Sequence, residues 1–245
     1  MKSFLILSSA LVLALSAATA ATRETSVSEI RELTLPASGA LDAGTVVGSI
    51  AVQSWDEDYV LVRATVTAHD RASLSLVQIG IGDGRIWAFS PLAKSWGVSY
   101  EISVPREYGL HLETSVGAVS VSGVKGAISA VTAVGAITFS GLAGDVSAKT
   151  AVGSVDVTLT GDGWQGKGLS ALTATGTVRI HAPVGYAAHF DLRTDMGDVT
   201  TTYPGAQVVS TSLFGKQLVF DSGAGGATIH AATSIGRLEL IADPH

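Results

Sequence analysis

Residues 132–157 read TAVGAITFSGLAGDVSAKTAVGSVDV, and the phrase T-A-V-G followed by an alternating apolar run occurs twice within them. The two copies begin eighteen residues apart, at Thr132 and Thr150, and Thr114 lies eighteen residues before the first. Self-similarity at a fixed period near twenty residues is typical of a solenoid, in which each unit buries its apolar edge against its neighbours. The repeat therefore predicts stacked coils.

Glycines recur every nine residues through this region, and a β-branched residue stands two positions after each of them. They are Gly117, Gly126, Gly135, Gly144 and Gly153. Alternation with period two predicts strands, and a glycine falls where the parity slips by one, as a bend or bulge requires. We therefore predict an all-β fold, a parallel β-solenoid with about 18 residues per regular coil and an irregular N-terminal β cap. The alternatives are an antiparallel sandwich and a three-sided coil.

The alternation also predicts which side chains point inward. In one coil they are Ile128, Ala130, Thr132, Val134, Ile137 and Phe139, and in the next Val146, Ala148, Thr150, Val152, Val155 and Val157. If the coils stack with a strand spacing of ~4.8 Å, Val134 lies between Val116 and Val152. Each buried Val, Ile or Leu contributes roughly 1.5–3 kcal/mol, so a few per coil can offset the ordering of the backbone.

The glycine spacing loosens beyond Leu159. Gly176 follows Gly153 by 23 residues, and the surplus fits the glycine-rich loop at 161–168. Gly197 comes 21 residues later, and Gly236 a further 39, which is enough for two longer coils.

The front part of the chain is less regular. Its strand candidates are residues 30–35, 49–53, 59–67, 74–81, 85–89 and 98–104. Because a solenoid needs covered ends, we predict that residues 21–105 form wider first coils and a cap, and that residues 106–245 form the glycine-punctuated solenoid.

Residues 1–20 have the pattern of a secretory signal peptide, with Lys2, an apolar run and a small-residue ending at Ala18-Thr19-Ala20. The apolar run is shorter than a membrane span requires. The chain has no cysteine, so an exported product has no disulfides. Without Lys2 it has 14 basic and 21 acidic residues, a net charge of -7 that argues against nucleic acid as a partner.

Four phrases in order carry a family resemblance. They are GSIAVQSWDEDYVLVRATV, YEISVPREYGLHLETSVGAVSVSGVKGAISAVTAVGAI, TATGTVRIHAPVGYAAHFDLRTDMGDVTTTYP and GAGGATIHAATSIGRLEL. Together they resemble the bacterial putative-adhesin family of unknown function, whose members carry repeated G-[DS]-[VI]-x-V strands. The resemblance implies an exported β-solenoid of the cell envelope. Members often have Asn-Gly-Asp at the repeat turn, whereas this chain has V-G-A or V-G-S.

Several short patterns are weighed as ligand sites. The glycine-rich stretches 80–84 and 223–226 lack the helix and lysine of a phosphate loop, so they are interpreted as turns or bulges. The pairs His111/Glu113 and His189/Asp191 each share a strand face, but zinc needs a third ligand. Calcium is considered for the acidic run Asp56, Glu57 and Asp58 and for Asp162, Asp195 and Asp198 on later turns. The sequence lacks the G-G-x-G-x-D phrase of calcium-binding solenoid repeats, and a hairpin turn explains the run 56–58 better. We predict no metal and no cofactor.

Catalytic patterns are equally sparse. Ser115, Ser129 and Ser147 do not stand in a nucleophile motif. Asp145, Lys149, Asp156 and Arg179 are the residues that a polysaccharide-cleaving β-helix would draw together. Charged residues on the outside of coils ordinarily serve solubility, so we predict no catalytic residues and keep a polysaccharide lyase or hydrolase as the alternative function.

The outward positions leave flat surfaces of small side chains. On one face they are Ser129, Val131, Ala133, Ser147, Lys149 and Ala151, and on the other Ala136, Thr138, Ser140, Ser154, Asp156 and Thr158. Such faces suit an extended contact with a polymer or a partner's sheet. We therefore predict a non-catalytic, exported interaction module of the cell envelope or surface, binding a glycan or protein through an extended β face. Ice binding ranks last, since Thr132 and Thr150 are predicted to point inward.

Overall fold

The computed structural model describes residues 26–92, 95–210 and 212–243, and the chain in these ranges is almost entirely β-structure. The strands are β1 (Val27–Pro36), β2 (Ala40–Val47), β3 (Ile50–Trp55), β4 (Tyr59–Ala68), β5 (Gln78–Gly82), β6 (Arg85–Phe89), β7 (Trp96–Pro105), β8 (Gly109–Val116), β9 (Val119–Ser122), β10 (Lys125–Val134), β11 (Ile137–Ser140), β12 (Ala143–Val152), β13 (Val155–Thr158), β14 (Gly168–Pro183), β15 (Ala188–Thr201), β16 (Val208–Ser210), β17 (Lys216–Ser222) and β18 (Thr228–Asp243). A short helix, α1 (Arg71–Leu76), interrupts them. The prediction of an all-β chain is confirmed.

Two series of parallel strands form the middle of the molecule. The first series runs, in spatial order, through β2, β8, β10, β12 and the first halves of β14, β18 and β15. The second runs through β3, β9, β11, β13 and the second halves of β14, β18 and β15. Each coil supplies one strand segment to each series.

The eighteen-residue register is confirmed. Ile128 pairs with Leu110 on one side and with Val146 on the other, a step of eighteen residues each time. Val134 likewise pairs with both Val116 and Val152. The longer step of 23 residues is also present, since Val155 on β13 pairs with Val178 on β14. The glycine-rich loop between these two strands accounts for the extra residues. Equivalent residues of the repeat therefore form columns across the strands.

A purely parallel β-solenoid is not supported, because the sheet is mixed. Five of the seventeen strand pairings among the described residues are antiparallel: β1–β4, β4–β7, β5–β6, β15–β17 and β16–β17. They lie at the two ends of the parallel series. An end strand has unpaired backbone groups, and these antiparallel partners cover them.

The last coils do not stack in chain order. The C-terminal strand β18 lies between β14 and β15, pairing with fifteen residues of the first and twelve of the second. The expected second coil before Gly236 is wrong, because residues 202–227 contain the antiparallel strands β16 and β17. Inserting β18 between two parallel neighbours satisfies the hydrogen-bonding groups on both of its edges, whereas an outer position would leave one edge open.

Two predictions for the front part need correction. The expected strand at 74–81 begins inside helix α1, whose first turn is capped by Asp70, since its carboxylate accepts a hydrogen bond from the Ser73 N–H at 2.6 Å. The acidic run 56–58 does connect two strands, but not as a hairpin, because β7 lies between β3 and β4. Trp55 packs beside this turn as expected, with its ring 4.6 Å from that of Tyr59.

A threonine and a glycine of the repeat join neighbouring coils. In each coil a buried threonine stands three residues before a glycine at the corner, and these threonines are Thr45, Thr114, Thr132, Thr150, Thr173, Thr194 and Thr233. The Thr132 hydroxyl donates to the Gly117 carbonyl at 3.2 Å, and the Thr150 hydroxyl to the Gly135 carbonyl at 3.1 Å. The inward orientation predicted for Thr132 and Thr150 is confirmed, and the reason for a polar core residue is this inter-coil hydrogen bond.

Thr233 is the exception and provides a prediction about stability. Its buried hydroxyl has no hydrogen-bond partner among the described residues. We expect Thr132→Val to lose about 1–2 kcal/mol of unfolding free energy, because the Gly117 carbonyl loses its donor, and Thr233→Val to be neutral or stabilising. Urea unfolding of both variants checks this. Equal losses would contradict the role given to the hydrogen bond.

The side chains of both strand series contribute to one buried hydrophobic cluster. Ile128, Ile137 and Phe139 are at most 2% exposed, as their predicted inward parity requires. No helix within the described ranges is long and apolar enough to cross a membrane. The predicted signal peptide, residues 1–20, lies outside the described residues.

Candidate functional site

The outer face of the first strand series is the most extended surface that the repeat builds. Because side chains alternate along each strand, every second residue of β8, β10, β12, β14, β18 and β15 points away from the core. Parallel pairing in fixed register then places these outward residues in columns that cross the strands. The small residues predicted for this face, such as Ser129 and Ala133, lie on it.

A groove of about 670 Å³ runs across this face near the ends of the strands. One of its two columns contains small side chains, namely Ser115, Ala133, Ala151, Ala174 and Ser234, and ends at Asp195. The other contains Glu113, Val131, Lys149, Leu172, Ala232 and Arg193. From β8 to β15 the groove crosses five strand spacings of ~4.8 Å, or about 24 Å.

The charges in the groove are balanced. Glu113 and Lys149 lie toward one side of it, and Arg193 and Asp195 lie together on β15 at the other end. None of these four residues forms an ion pair with another described residue. Their charged groups, two cationic and two anionic, are therefore available to a bound partner.

A second column of hydrogen-bonding side chains crosses the same face nearer the beginnings of the strands. In spatial order it contains Asp42, His111, Ser129, Ser147, Ser170, His230 and Asp191, each in register with the next. Asp42, His111, Ser129 and Ser147 also line a shallower groove of about 520 Å³. The face therefore combines a trough of small side chains with a row of hydroxyl, imidazole and carboxylate groups.

The valines before Gly117, Gly135 and Gly153 form an exposed ridge at the corner of the coil. Val116, Val134 and Val152 are 49%, 49% and 51% exposed. The predicted inward orientation of Val134 and Val152 is therefore wrong, although their register is right. Alternation stops at the buried threonine, and both residues between it and the glycine face outward as the chain turns from one series to the other.

The four residues of the polysaccharide-cleaving hypothesis do not converge. Lys149 lies in the groove, whereas Asp145 pairs with Lys167 at 3.2 Å. Asp156 and Arg179 belong to the second series, where the guanidinium contacts Asp156 at 3.1 Å and Glu239 at 2.8 Å.

This last cluster is an ion-pair network across three strands. Hydrogen bonds from Arg179 to Asp156 and then Glu239 raise the pKa of the guanidinium above its usual value. Both carboxylates contact the cation between them, and neither lines the groove on the first strand series. The network links β13, β14 and β18, which are neighbours in the second strand series.

The residues weighed as metal ligands are distributed over separate pairs. His189 contacts Asp221 at 2.8 Å, while Asp191 contacts His230 at 3.1 Å. His189 and Asp191 therefore lie on one strand face as predicted, but each contacts a different residue. His111 and Glu113 also share a face of β8. No group of three or more His, Cys, Asp or Glu residues suited to a metal occurs in the described part of the chain.

The acidic residues weighed for calcium also have cationic partners or lie apart. Asp56 pairs with Arg106, and the hydrogen bond from this arginine lowers the pKa of the carboxyl. The Lys216 ammonium similarly holds the pKa of Asp198 below its usual value. Asp195 lies in the groove, and Asp162 lies in the loop after β13.

No protein-family model matches the chain, and no curated protein matches it. Among solved structures, a putative cell adhesion protein from Clostridium sporogenes is 13% identical, with a TM-score of 0.46 over 89% of this chain and 100% of that one. A putative adhesin from Bacteroides fragilis is 12% identical, with a TM-score of 0.46 over 87% and 97%. A putative lipid binding protein from Parabacteroides distasonis is 9% identical, with a TM-score of 0.27 over 89% and 95%.

Proposed function

We propose that the protein is a non-catalytic binding module that holds an extended glycan chain in the groove across its outer face. The observation that carries the proposal is the groove itself, which crosses six neighbouring strands without interruption by a large side chain in its small-residue column. A trough about 24 Å long and one side chain wide suits a linear partner.

The chemistry of the lining supports an uncharged polyhydroxyl chain. Lys149 and Arg193 offer donors, Glu113 and Asp195 offer acceptors, and these charges cancel. The neighbouring column adds serine hydroxyls that both donate and accept. An acidic polymer would meet two carboxylates in this groove, and a basic one would meet two cations, so a neutral glycan is the better electrostatic match.

Binding is better supported than hydrolysis. The two carboxylates that line the groove, Glu113 and Asp195, lie five strand spacings apart, about 24 Å. Glycoside hydrolysis by a carboxylate pair needs a separation of roughly 5 to 10 Å. The signal-peptide pattern at residues 1–20 supports an exported protein that meets its glycan in the cell envelope or outside the cell.

A groove-filling substitution tests this proposal. Ala133→Trp places an indole in the small-residue column, and we expect at least about a tenfold loss of affinity for oligosaccharides of about six units that the wild type binds. Thr138→Trp is the matched control, because Thr138 belongs to the same coil but is exposed on the second strand series. Its affinity is expected to stay within about twofold of wild type.

The probes are soluble β-1,4-glucan, β-1,4-linked N-acetylglucosamine and α-1,4-glucan oligosaccharides, measured by titration calorimetry. Product analysis after prolonged incubation checks that the sugars remain intact. Failure of the wild type to bind any of them, equal losses in Ala133→Trp and Thr138→Trp, or cleavage of a sugar would each overturn the proposal.

A further inference from the structure

An exposed tryptophan lies flat on a glycine beyond one end of the groove. Trp87 on β6 is opposite Gly80 on β5, and it is 43% exposed. A Cβ built on Gly80 would lie 2.3 Å from Cε2 of the indole, 2.5 Å from Cζ2 and 2.7 Å from Nε1. An approach in the ring plane would bring Nε1 and Cζ2, the two rim atoms bonded to Cε2, nearer than Cε2 itself. Because both are farther, this point lies over the ring face and not at its edge. One face of the indole therefore rests on Gly80, and the other is turned away from β5.

The hairpin sequence creates this arrangement. Asp83 and Gly84 have positive φ values of 49° and 72° and form the two-residue turn between β5 and β6. The resulting register puts Gly80 opposite Trp87, where the absence of a side chain lets the indole lie down. Gly82 continues the bare surface, since a Cβ there would be 4.0 Å from Cη2 of the same ring.

Trp87 extends the groove column that contains Glu113, Val131 and Lys149, which lies beside the column of small side chains. Gly44 pairs with Trp87 on one side and with Glu113, at the end of the groove, on the other. Trp87 is thus two strand spacings, about 10 Å, from Glu113, with only a glycine between them. A linear chain that leaves the groove beside Glu113 therefore reaches the indole over Gly44, which has no side chain.

We propose that Trp87 is a sugar-stacking subsite, on which one pyranose ring of the bound glycan lies against the exposed face of the indole. This inference rests on the proposed function and adds a named subsite to it. The apolar C–H face of a pyranose matches the electron-rich face of an indole, and its hydroxyls remain free for polar groups at the rim. Such groups are present beside the ring, where Arg85 contacts Asp42 at 3.0 Å.

A membrane surface is the competing partner for exposed aromatic residues, and Phe89, 42% exposed on the same strand face, adds to the apolar area. The arrangement favours the sugar for two reasons. The indole is held flat by Gly80, whereas a membrane anchor inserts its ring, and the chain carries a net charge of -6, which is unsuited to anionic lipid.

Two variants test the subsite, one by removing the indole and the other by displacing it from Gly80. Trp87→Ala deletes it, and Gly80→Ala keeps it but forces the ring off its support, because only the movable indole stands in the way of the new Cβ. We expect both variants to bind the same oligosaccharides about tenfold more weakly than wild type. Val209→Ala, at an exposed position on β16 at the other end of the molecule, is the control and is expected to match wild type.

Fluorescence supplies a readout that a merely structural role would not change. Bound oligosaccharide is expected to protect tryptophan emission from acrylamide quenching in the wild type, and Trp87→Phe is expected to abolish that protection. Vesicles of phosphatidylcholine and phosphatidylglycerol serve as the second probe and are expected to leave the emission unchanged.

The outcomes separate the two proposals. If Ala133→Trp weakens binding but Trp87→Ala and Gly80→Ala do not, the stacking subsite is wrong and the groove function stands. If the Trp87 variants weaken binding but Ala133→Trp does not, the groove function is wrong and the subsite stands alone. Absence of oligosaccharide binding overturns both, and a vesicle-induced shift of Trp87 emission without sugar binding identifies a lipid surface instead.

Discussion

Gly135→Ala is expected to destabilise the protein by at least about 3 kcal/mol. A Cβ at this position would lie 1.9 Å from the Gly117 carbonyl oxygen of the neighbouring coil, and the φ of +156° is one that L side chains rarely adopt. The clash is with backbone, so no side-chain rotation relieves it. A Cβ on Gly153 would likewise lie 1.9 Å from the Gly135 carbonyl oxygen, so any shift of this coil disturbs the next one as well.

Two other glycines separate the close approach from the backbone conformation. Gly161 has a φ of +80° with no atom within 4 Å of an added Cβ, so Gly161→Ala measures conformational strain alone, about 1–2 kcal/mol. Gly44 has neither a positive φ nor a contact closer than 4.0 Å, and Gly44→Ala is expected to stay within about 0.5 kcal/mol of wild type. Urea denaturation of the three variants gives the comparison. A cost at Gly135 no larger than at Gly161 would show that coil contact is not what requires glycine there.

Phe190→Ala is the second substitution expected to have a large effect, a loss of about 3–5 kcal/mol. Phe190 on β15 is fully buried, and its ring centroid lies 5.3 Å from that of Phe220 and 5.8 Å from that of Tyr203. These three rings join the outermost parallel coil to strand β17, which covers it. Deleting the central ring leaves a cavity between them that the flanking backbone cannot close.

The loss is expected to be local as well as global. Amide hydrogen exchange should rise first in β15 and β17, because those strands lose their packing, while β10 and β12 keep their protection. Phe89→Ala is the matched control, since Phe89 is 42% exposed, and it is expected to cost less than about 1 kcal/mol. A Phe190→Ala variant with wild-type stability and unchanged exchange in β15 would show that the rings do not hold this end together.

The period-two alternation predicted correctly which side chains of the strands point inward, but it predicted the wrong orientation at the corner of the coil. The parity of Ile128, Thr132 and Phe139 follows from period-two alternation, and the structure confirms it. Val134 breaks the alternation because the chain turns there, and a turn leaves two consecutive side chains on the outside. A β-branched residue ordinarily indicates a buried strand position, and at this corner it does not.

The candidate site was only partly predictable. The small outward residues Ala133 and Ala151 were expected on an open face, and the groove contains them. Trp87 was missed because it lies outside the regular repeat. A signal for it was present, since a two-residue turn at Asp83-Gly84 sets a hairpin register in which Gly80 faces the indole.

The sequence by itself determined the repeating unit, its eighteen-residue register, and the inward threonine and the glycine that recur with it. These properties are local, because identical residues in successive copies have the same inward or outward parity. Only the tertiary structure decided that β18 lies between β14 and β15, that antiparallel strands cover both ends, and that Trp87 extends the line of the groove. The physical reason is that every parallel coil offers the same backbone hydrogen-bonding edge, so which coils become neighbours depends on long-range contacts, such as Arg179 with Glu239, that no local pattern contains.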